Sequence, residues 1–149
     1  KRKNIYSTLS KVISDYEHNN KDIKFINNLH SNEMKVNIDD SQISRVFKNI
    51  IINSIHSIEE CKIKNGEIKY SSYENEDSVV MSFRDNGNAL KYEKDELVKP
   101  YFTTKKKIGG SGLGLAIVEK ILFDHHADFL LTNRDDGIKG AEVKITFSK

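Results

Sequence analysis

The chain has 149 residues, 37% of them hydrophobic and 31% charged, with a net charge of +2; this suits one globular domain with a real core and argues against a nucleic-acid partner, which selects a strongly basic face. Its single cysteine, Cys61, excludes a disulfide framework and a cysteine-rich metal site. No apolar run approaches the ~20 residues of a membrane helix, so a cytoplasmic domain is expected.

Residues 1–5 are basic and begin without Met, as expected of a piece of a longer protein. Tyr6, Leu9, Val12, Ile13 and Tyr16 recur at helical spacing and predict a short amphipathic helix, followed by a polar loop over 15–22. Stretches 23–30 and 34–38 alternate as strands do, and Ser31-Asn32-Glu33 reads as the turn joining them. Ser41 is the expected cap of a long helix over 41–61, which ends before the Asn65-Gly66 turn signal. Stretches 68–73 and 79–83 predict a hairpin with Asn75-Glu76-Asp77 at its tip. Residues 86–108 show little periodicity beyond a short helix at 93–98, and a loop that long inside a small domain usually carries function. A helix at 112–124 follows, then strands at 129–132 and 143–147 on either side of Asp135-Asp136-Gly137. This order predicts an α+β fold, a two-layer sandwich with helices on one face.

Three stretches carry chemistry. The first is Lys99–Glu119, where an aromatic pair, two threonines and Lys105–Lys107 run into Gly109, Gly110, Gly112 and Gly114, just ahead of the apolar helix. Glycines at a helix start let the backbone approach a ligand and leave free N–H groups facing it, which suits a polyphosphate. A nucleoside triphosphate under a flexible Lys/Thr-rich lid is the expectation. The second is a polar stripe on the 41–61 helix: Gln42, Arg45, Asn49, Asn53, His56 and Glu60. It reads either as a solvated edge or as a site where an amide oxygen meets a hard cation and phosphate oxygens. The third is Asp85-Asn86-Gly87 after a strand. It reads either as a turn or as a carboxylate placed to accept from an adenine amino group.

In this order the elements resemble the ATP-binding catalytic domain of sensor histidine kinases, the Bergerat (GHKL) fold shared with gyrase, Hsp90 and MutL ATPases. Asn49–His56 resembles the N-box and Asp85-Asn86-Gly87-Asn88-Ala89 the first glycine box. Pro100–Lys105 resembles the F-box, and Gly110-Ser111-Gly112-Leu113-Gly114-Leu115 the second glycine box. The run PYFTTK leading into GGSGLGLAIVEKI is most similar to the nitrogen-regulation (NtrY/NtrB-like) branch.

The resemblance implies a mixed, mostly antiparallel sheet with helices on one face and a flexible ATP lid. It implies ATP and Mg2+ as ligands. Asn53 would coordinate the metal, Asn49 would sit near the phosphates, and His56 would stand where a basic residue often reaches them. Asp85 would accept from the adenine amine and Gly87 would admit the base. Phe102, Thr103, Thr104 and Lys105 would belong to the lid. Gly110, Ser111, Gly112, Leu113, Gly114 and Leu115 would wrap the triphosphate. Two departures stand out: Ala89 replaces a glycine of the family pattern and restricts the backbone there, and His56 is mostly neutral near pH 7.

Related ATPases carry a glutamate as general base one turn before the metal-binding Asn; here that position is Asn49, whose amide is a very poor base. Slow hydrolysis and transfer to another acceptor are therefore expected. None of His18, His30, His56, His125 and His126 is followed by an acidic residue, so the phosphoacceptor histidine is expected on a separate helical dimerisation domain of a homodimeric kinase. A response regulator is implied downstream, and an inner-membrane anchor elsewhere in the full-length protein is compatible with this. The competing readings are a Ser/Thr (anti-sigma-like) kinase and a nucleotide-binding interaction module without transfer activity.

Overall fold

The computed structural model of the chain describes residues 2–88 and 114–149. Its elements in chain order are β1 (Arg2–Asn4), α1 (Ile5–Asn19), β2 (Ile23–Asn28), β3 (Lys35–Asn37) and α2 (Asp40–Glu60), followed by β4 (Gly66–Glu74), β5 (Ser78–Asp85), α3 (Gly114–Asp124), β6 (Asp128–Asn133) and β7 (Ala141–Ser148). Five strands form one sheet in the order β2-β4-β5-β7-β6, parallel between β2 and β4 and antiparallel elsewhere. The expected α+β sandwich is what the chain adopts. The expected short helix at 93–98 lies outside the described residues.

The core follows from the period of each element. Strand β5 buries Val79, Met81, Phe83 and Asp85 at alternate positions, and α2 buries Ile43, Val46, Phe47, Ile50, Ile51, Ser54, Ile55 and Ile58 at helical ones. Phe47 of α2 meets the rings of Phe83 and Phe147 with centroids 5.7 and 6.5 Å away, which locks helix to sheet. Helices α1 and α3 pack on either side of α2.

Three sequence expectations are corrected. Residues 15–22 are not a loop throughout: α1 continues to Asn19, and the Asn19 and Asn20 amides donate back to the carbonyls of Asp15 and Tyr16. Strands β2 and β3 are not a hairpin. β2 pairs parallel with β4, Ile23 opposite Gly66, while β3 pairs with β1, Lys3 opposite Val36. Alternating side chains mark which face is buried and leave the partner strand open. Here Asn4 settles it, because its side-chain oxygen accepts from the N–H of both Tyr6 and Met34 and ties the α1 cap to the entry of β3. Finally, α2 is capped by Asp39 rather than Ser41: the Asp39 carboxylate accepts from the Gln42 N–H (3.1 Å) and from the Ser41 hydroxyl (2.9 Å).

Candidate functional site

The outward face of α2 and the end of β5 meet at one place. Asn49, Asn53, His56 and Ser57 are all half-buried on that face, whereas Gln42, Arg45 and Glu60 of the same stripe are exposed. Residues four apart stack along a helix, so Asn49, Asn53 and Ser57 form a polar row spanning about 12 Å. The row lies between two glycines.

At one end stands Gly87. A Cβ there would lie 2.3 Å from the Ser57 hydroxyl oxygen and 2.8 Å from the Ser57 carbonyl carbon, so only glycine lets this backbone rest on α2. The Ser57 hydroxyl accepts from the Asn88 N–H at 2.8 Å, fastening the loop to the helix. Asn86 fastens it to the other side, accepting from the Glu67 N–H and donating to the Asn65 carbonyl. At the other end stands Gly114, the first residue of α3, where a Cβ would lie 3.3 Å from the Asn49 amide oxygen. The Asn49 amide nitrogen donates to the Arg45 carbonyl, which fixes the flip and turns the oxygen toward α3. The first turn of a helix has backbone N–H groups without intrahelical acceptors.

Asp85 is the last residue of β5 and only 5% exposed. Its carboxylate accepts from the Gly87 N–H at 2.9 Å and lies 3.5 Å from the Ala141 N–H. Its carbonyl accepts from the Arg134 guanidinium at 3.1 Å. Gly140, at φ +148°, runs so close to that carbonyl that any Cβ would overlap it.

Of the site residues expected from sequence, Asn49, Asn53, His56, Asp85, Gly87, Gly114 and Leu115 fall within the described residues, and the first six of these border the α2 face or the end of β5. Leu115 instead packs against the core. Phe102, Thr103, Thr104, Lys105, Gly110, Ser111, Gly112 and Leu113, with the departure at Ala89, lie outside them. Sequence reading missed Ser57, Arg134 and Gly140, and it placed Asn86 in the Asp85-Asn86-Gly87 stretch without giving its side chain a role. Ser57 carried a signal, since it continues the i, i+4 series Asn49, Asn53. Arg134 and Gly140 gave none, because their proximity to Asp85 arises only from the pairing of β5 with β7.

The residues suit a nucleotide and a hard cation. Half-buried amide oxygens, one buried carboxylate and two glycine-lined approaches favour a flat ring at one end and oxyanions at the other. Among the described residues no group of three His, Cys, Asp or Glu side chains gathers to hold a metal by itself, so a cation here would need ligand oxygens to complete its shell.

The sequence profile of a family described as histidine kinase-, DNA gyrase B-, and HSP90-like ATPase matches residues 38–149. Sporulation kinase C of Bacillus subtilis is 36% identical over 94 residues, covering 62% of this chain and 21% of that protein. Nitrogen regulation protein NtrY of Azorhizobium caulinodans is 33% identical over 117 residues, 76% of this chain and 15% of that protein. The chain thus spans only a small part of these relatives. Among solved structures, the nucleotide-free catalytic domain of histidine kinase ThkA superimposes with a TM-score of 0.84 at 27% identity, covering 100% of this chain and 97% of that one. ThkA in complex with the response regulator protein TrrA gives a TM-score of 0.80 at 25% identity, covering 100% of this chain and 41% of that one.

Proposed function

Since the chain belongs to the histidine kinase-, DNA gyrase B-, and HSP90-like ATPase family, as a histidine kinase catalytic domain, we propose that it binds ATP with Mg2+ and donates the γ-phosphate to a histidine on a separate helical domain. The observation that carries this is the row Asn49, Asn53, Ser57 between two glycine approaches, with the buried Asp85 carboxylate at one end.

In this reading Asp85 accepts from the adenine amine, and Gly87 lets the loop that follows Asp85 rest on Ser57 of α2, which fixes the base end of the site. The triphosphate runs along α2 toward Gly114, where Leu115 and the glycines before it contribute N–H groups to the phosphates. His56 lies beside that path, half-buried. Asn53 would hold Mg2+ by its amide oxygen, and the ion, when bound, neutralises phosphate charge during transfer. Asn49 contributes positioning and no base, so water is not activated and the phosphoryl group is kept for the acceptor. The resemblance assigns Phe102, Thr103, Thr104 and Lys105 to the nucleotide lid and Gly110, Ser111, Gly112 and Leu113 to the phosphate wrap, all of them outside the described residues.

The acceptor histidine comes from the dimerisation domain of a longer, homodimeric kinase, which then passes the phosphoryl group to a response regulator. The chain by itself does not autophosphorylate. Among the described residues no helix is long and apolar enough to cross a membrane.

The test has two arms. Asn53→Ala and Asp85→Asn should each greatly weaken ATP binding by calorimetry while leaving the far-UV spectrum unchanged; unaltered affinity in both refutes the site. Mixing the chain with a two-helix acceptor domain and radiolabelled ATP should give acid-labile phosphohistidine. An acid-stable phosphoserine would point to a Ser/Thr kinase, and tight ATP binding with no label to an interaction module.

A further inference from the structure

The connection between β6 and β7 reaches across to the end of β5. Arg134 follows β6 directly, and its side chain is only 3% exposed. Its guanidinium makes two kinds of contact. Nε and Nη2 form a fork onto the Asp136 carboxylate at 3.2 and 2.6 Å, while Nη1 donates to the Asp85 main-chain carbonyl at 3.1 Å. A planar guanidinium held on one edge by a carboxylate presents its remaining donors in a fixed direction. Asp136 is itself held in place, accepting from the Ile138 N–H at 3.2 Å and pairing with Arg84 of β5 at 3.4 Å. The Arg134 guanidinium keeps the Asp136 carboxyl down at about 2, so the fork stays charged throughout the neutral range.

The Asp85 peptide is thereby constrained from both sides. Arg134 holds its carbonyl from β6, and Asn86, the next residue, is bonded to Asn65 and Glu67 near the start of β4. Gly140 admits the Asp85 carbonyl without a clash, and the Arg134 N–H donates to the Gly140 carbonyl to close the connection. Reading a base edge needs a carboxylate aimed within about 10–20°. A strand's last residue, without further pairing beyond it, does not have that precision by itself.

We propose that Arg134, buttressed by Asp136, is a positioning residue that aims the Asp85 carboxylate and so sets the preference for adenine over guanine nucleotides. The inference rests on Asp85 being the base acceptor, and its test separates the two. ATP and GTP affinities are measured by competition against a fluorescent nucleotide for the unaltered chain and for Asp85→Asn, Arg134→Ala, Arg134→Lys and Asp136→Asn. Arg134→Ala should weaken ATP binding about tenfold, as expected for one lost hydrogen bond from a charged donor, and should lower the ATP/GTP affinity ratio by a similar factor. Arg134→Lys keeps the charge without the fork and should recover only part of the ratio. Asp136→Asn, which leaves Arg134 in place without its charged buttress, should fall between, and it carries the same test if Arg134→Ala does not fold. An unchanged ratio in Arg134→Ala and Asp136→Asn, whatever happens to melting temperature, overturns the proposal while leaving Asp85 in its role. A ratio retained in Asp85→Asn overturns the base reading itself.

Discussion

Gly87→Ala tests the contact on which the base end of the site depends. The φ of Gly87 lies outside the left-handed region, so alanine suits the backbone and any cost is steric. The added methyl would lie 2.3 Å from the Ser57 hydroxyl oxygen and 2.8 Å from both the Cβ and the carbonyl carbon of Ser57, where ordinary contacts start near 3.4 Å. Two of these three atoms cannot swing away, because one is backbone and the other is fixed to it. The loop must therefore lift by roughly an ångström, an overpacking cost of ~1–3 kcal/mol. Lifting it also breaks the bond from the Asn88 N–H to the Ser57 hydroxyl, worth ~0.5–1.5 kcal/mol. Reduced freedom of the unfolded chain returns ~0.4–1 kcal/mol.

The net loss is about 2 kcal/mol, or roughly thirtyfold in an equilibrium constant. Urea unfolding reads the part that falls on the fold, and calorimetric titration with ATP reads the part that falls on the site. Adding Ser57→Ala should restore only some of the loss, since the Ser57 Cβ and carbonyl carbon remain 2.8 Å from the new methyl. Unaltered midpoint and affinity in Gly87→Ala would refute the reasoning, as would full additivity in the double variant.

Two further expectations concern the frame around the site. Gly140→Ala should destabilise the chain far more than Gly137→Ala in thermal unfolding. Both positions have positive φ, but Gly137 faces open space and should cost only ~1–2 kcal/mol, whereas a Cβ at Gly140 runs into the Asp85 carbonyl. The Asp39 cap should show in acid. Its carboxyl is lowered mainly by the Gln42 N–H, with the Ser41 hydroxyl next, so its stabilisation is fully present above the ordinary carboxylate value and is lost as pH falls through the lowered one. Asp39→Ala should lower the melting temperature at pH 7 and flatten its decline below about pH 4; an identical acid profile would remove the cap from the account.

The sequence made plain whatever repeats along the chain. Apolar positions every three or four residues mark α2 and its buried side, and the i, i+4 spacing of Asn49 and Asn53 marks the opposite one. The β4–β5 hairpin and the β6–β7 pair were legible because turn residues bracket alternating strands. What stayed hidden depends on pairing between distant segments. Nothing in Ile23–Asn28 says that it lies beside Gly66 rather than Lys35, because β-branched alternation is indifferent to its neighbour. Arg134 sits 49 residues from Asp85 along the chain, and only the β5–β7 register brings them together. Ser41 is the expected cap and Asp39 the actual one; both residue types cap well, and Asp39 takes the role through its extended backbone, ψ 112°.

The parallel pairing of β2 with β4 constrains how the site can respond to a ligand. These strands are joined only through β3 and α2, so their ladder cannot form until the whole intervening segment has folded back over the sheet. The wall bearing Asn49 and Asn53 is thus part of the crossover that joins two neighbouring strands of one sheet, and it is tied to the sheet on both sides of the helix.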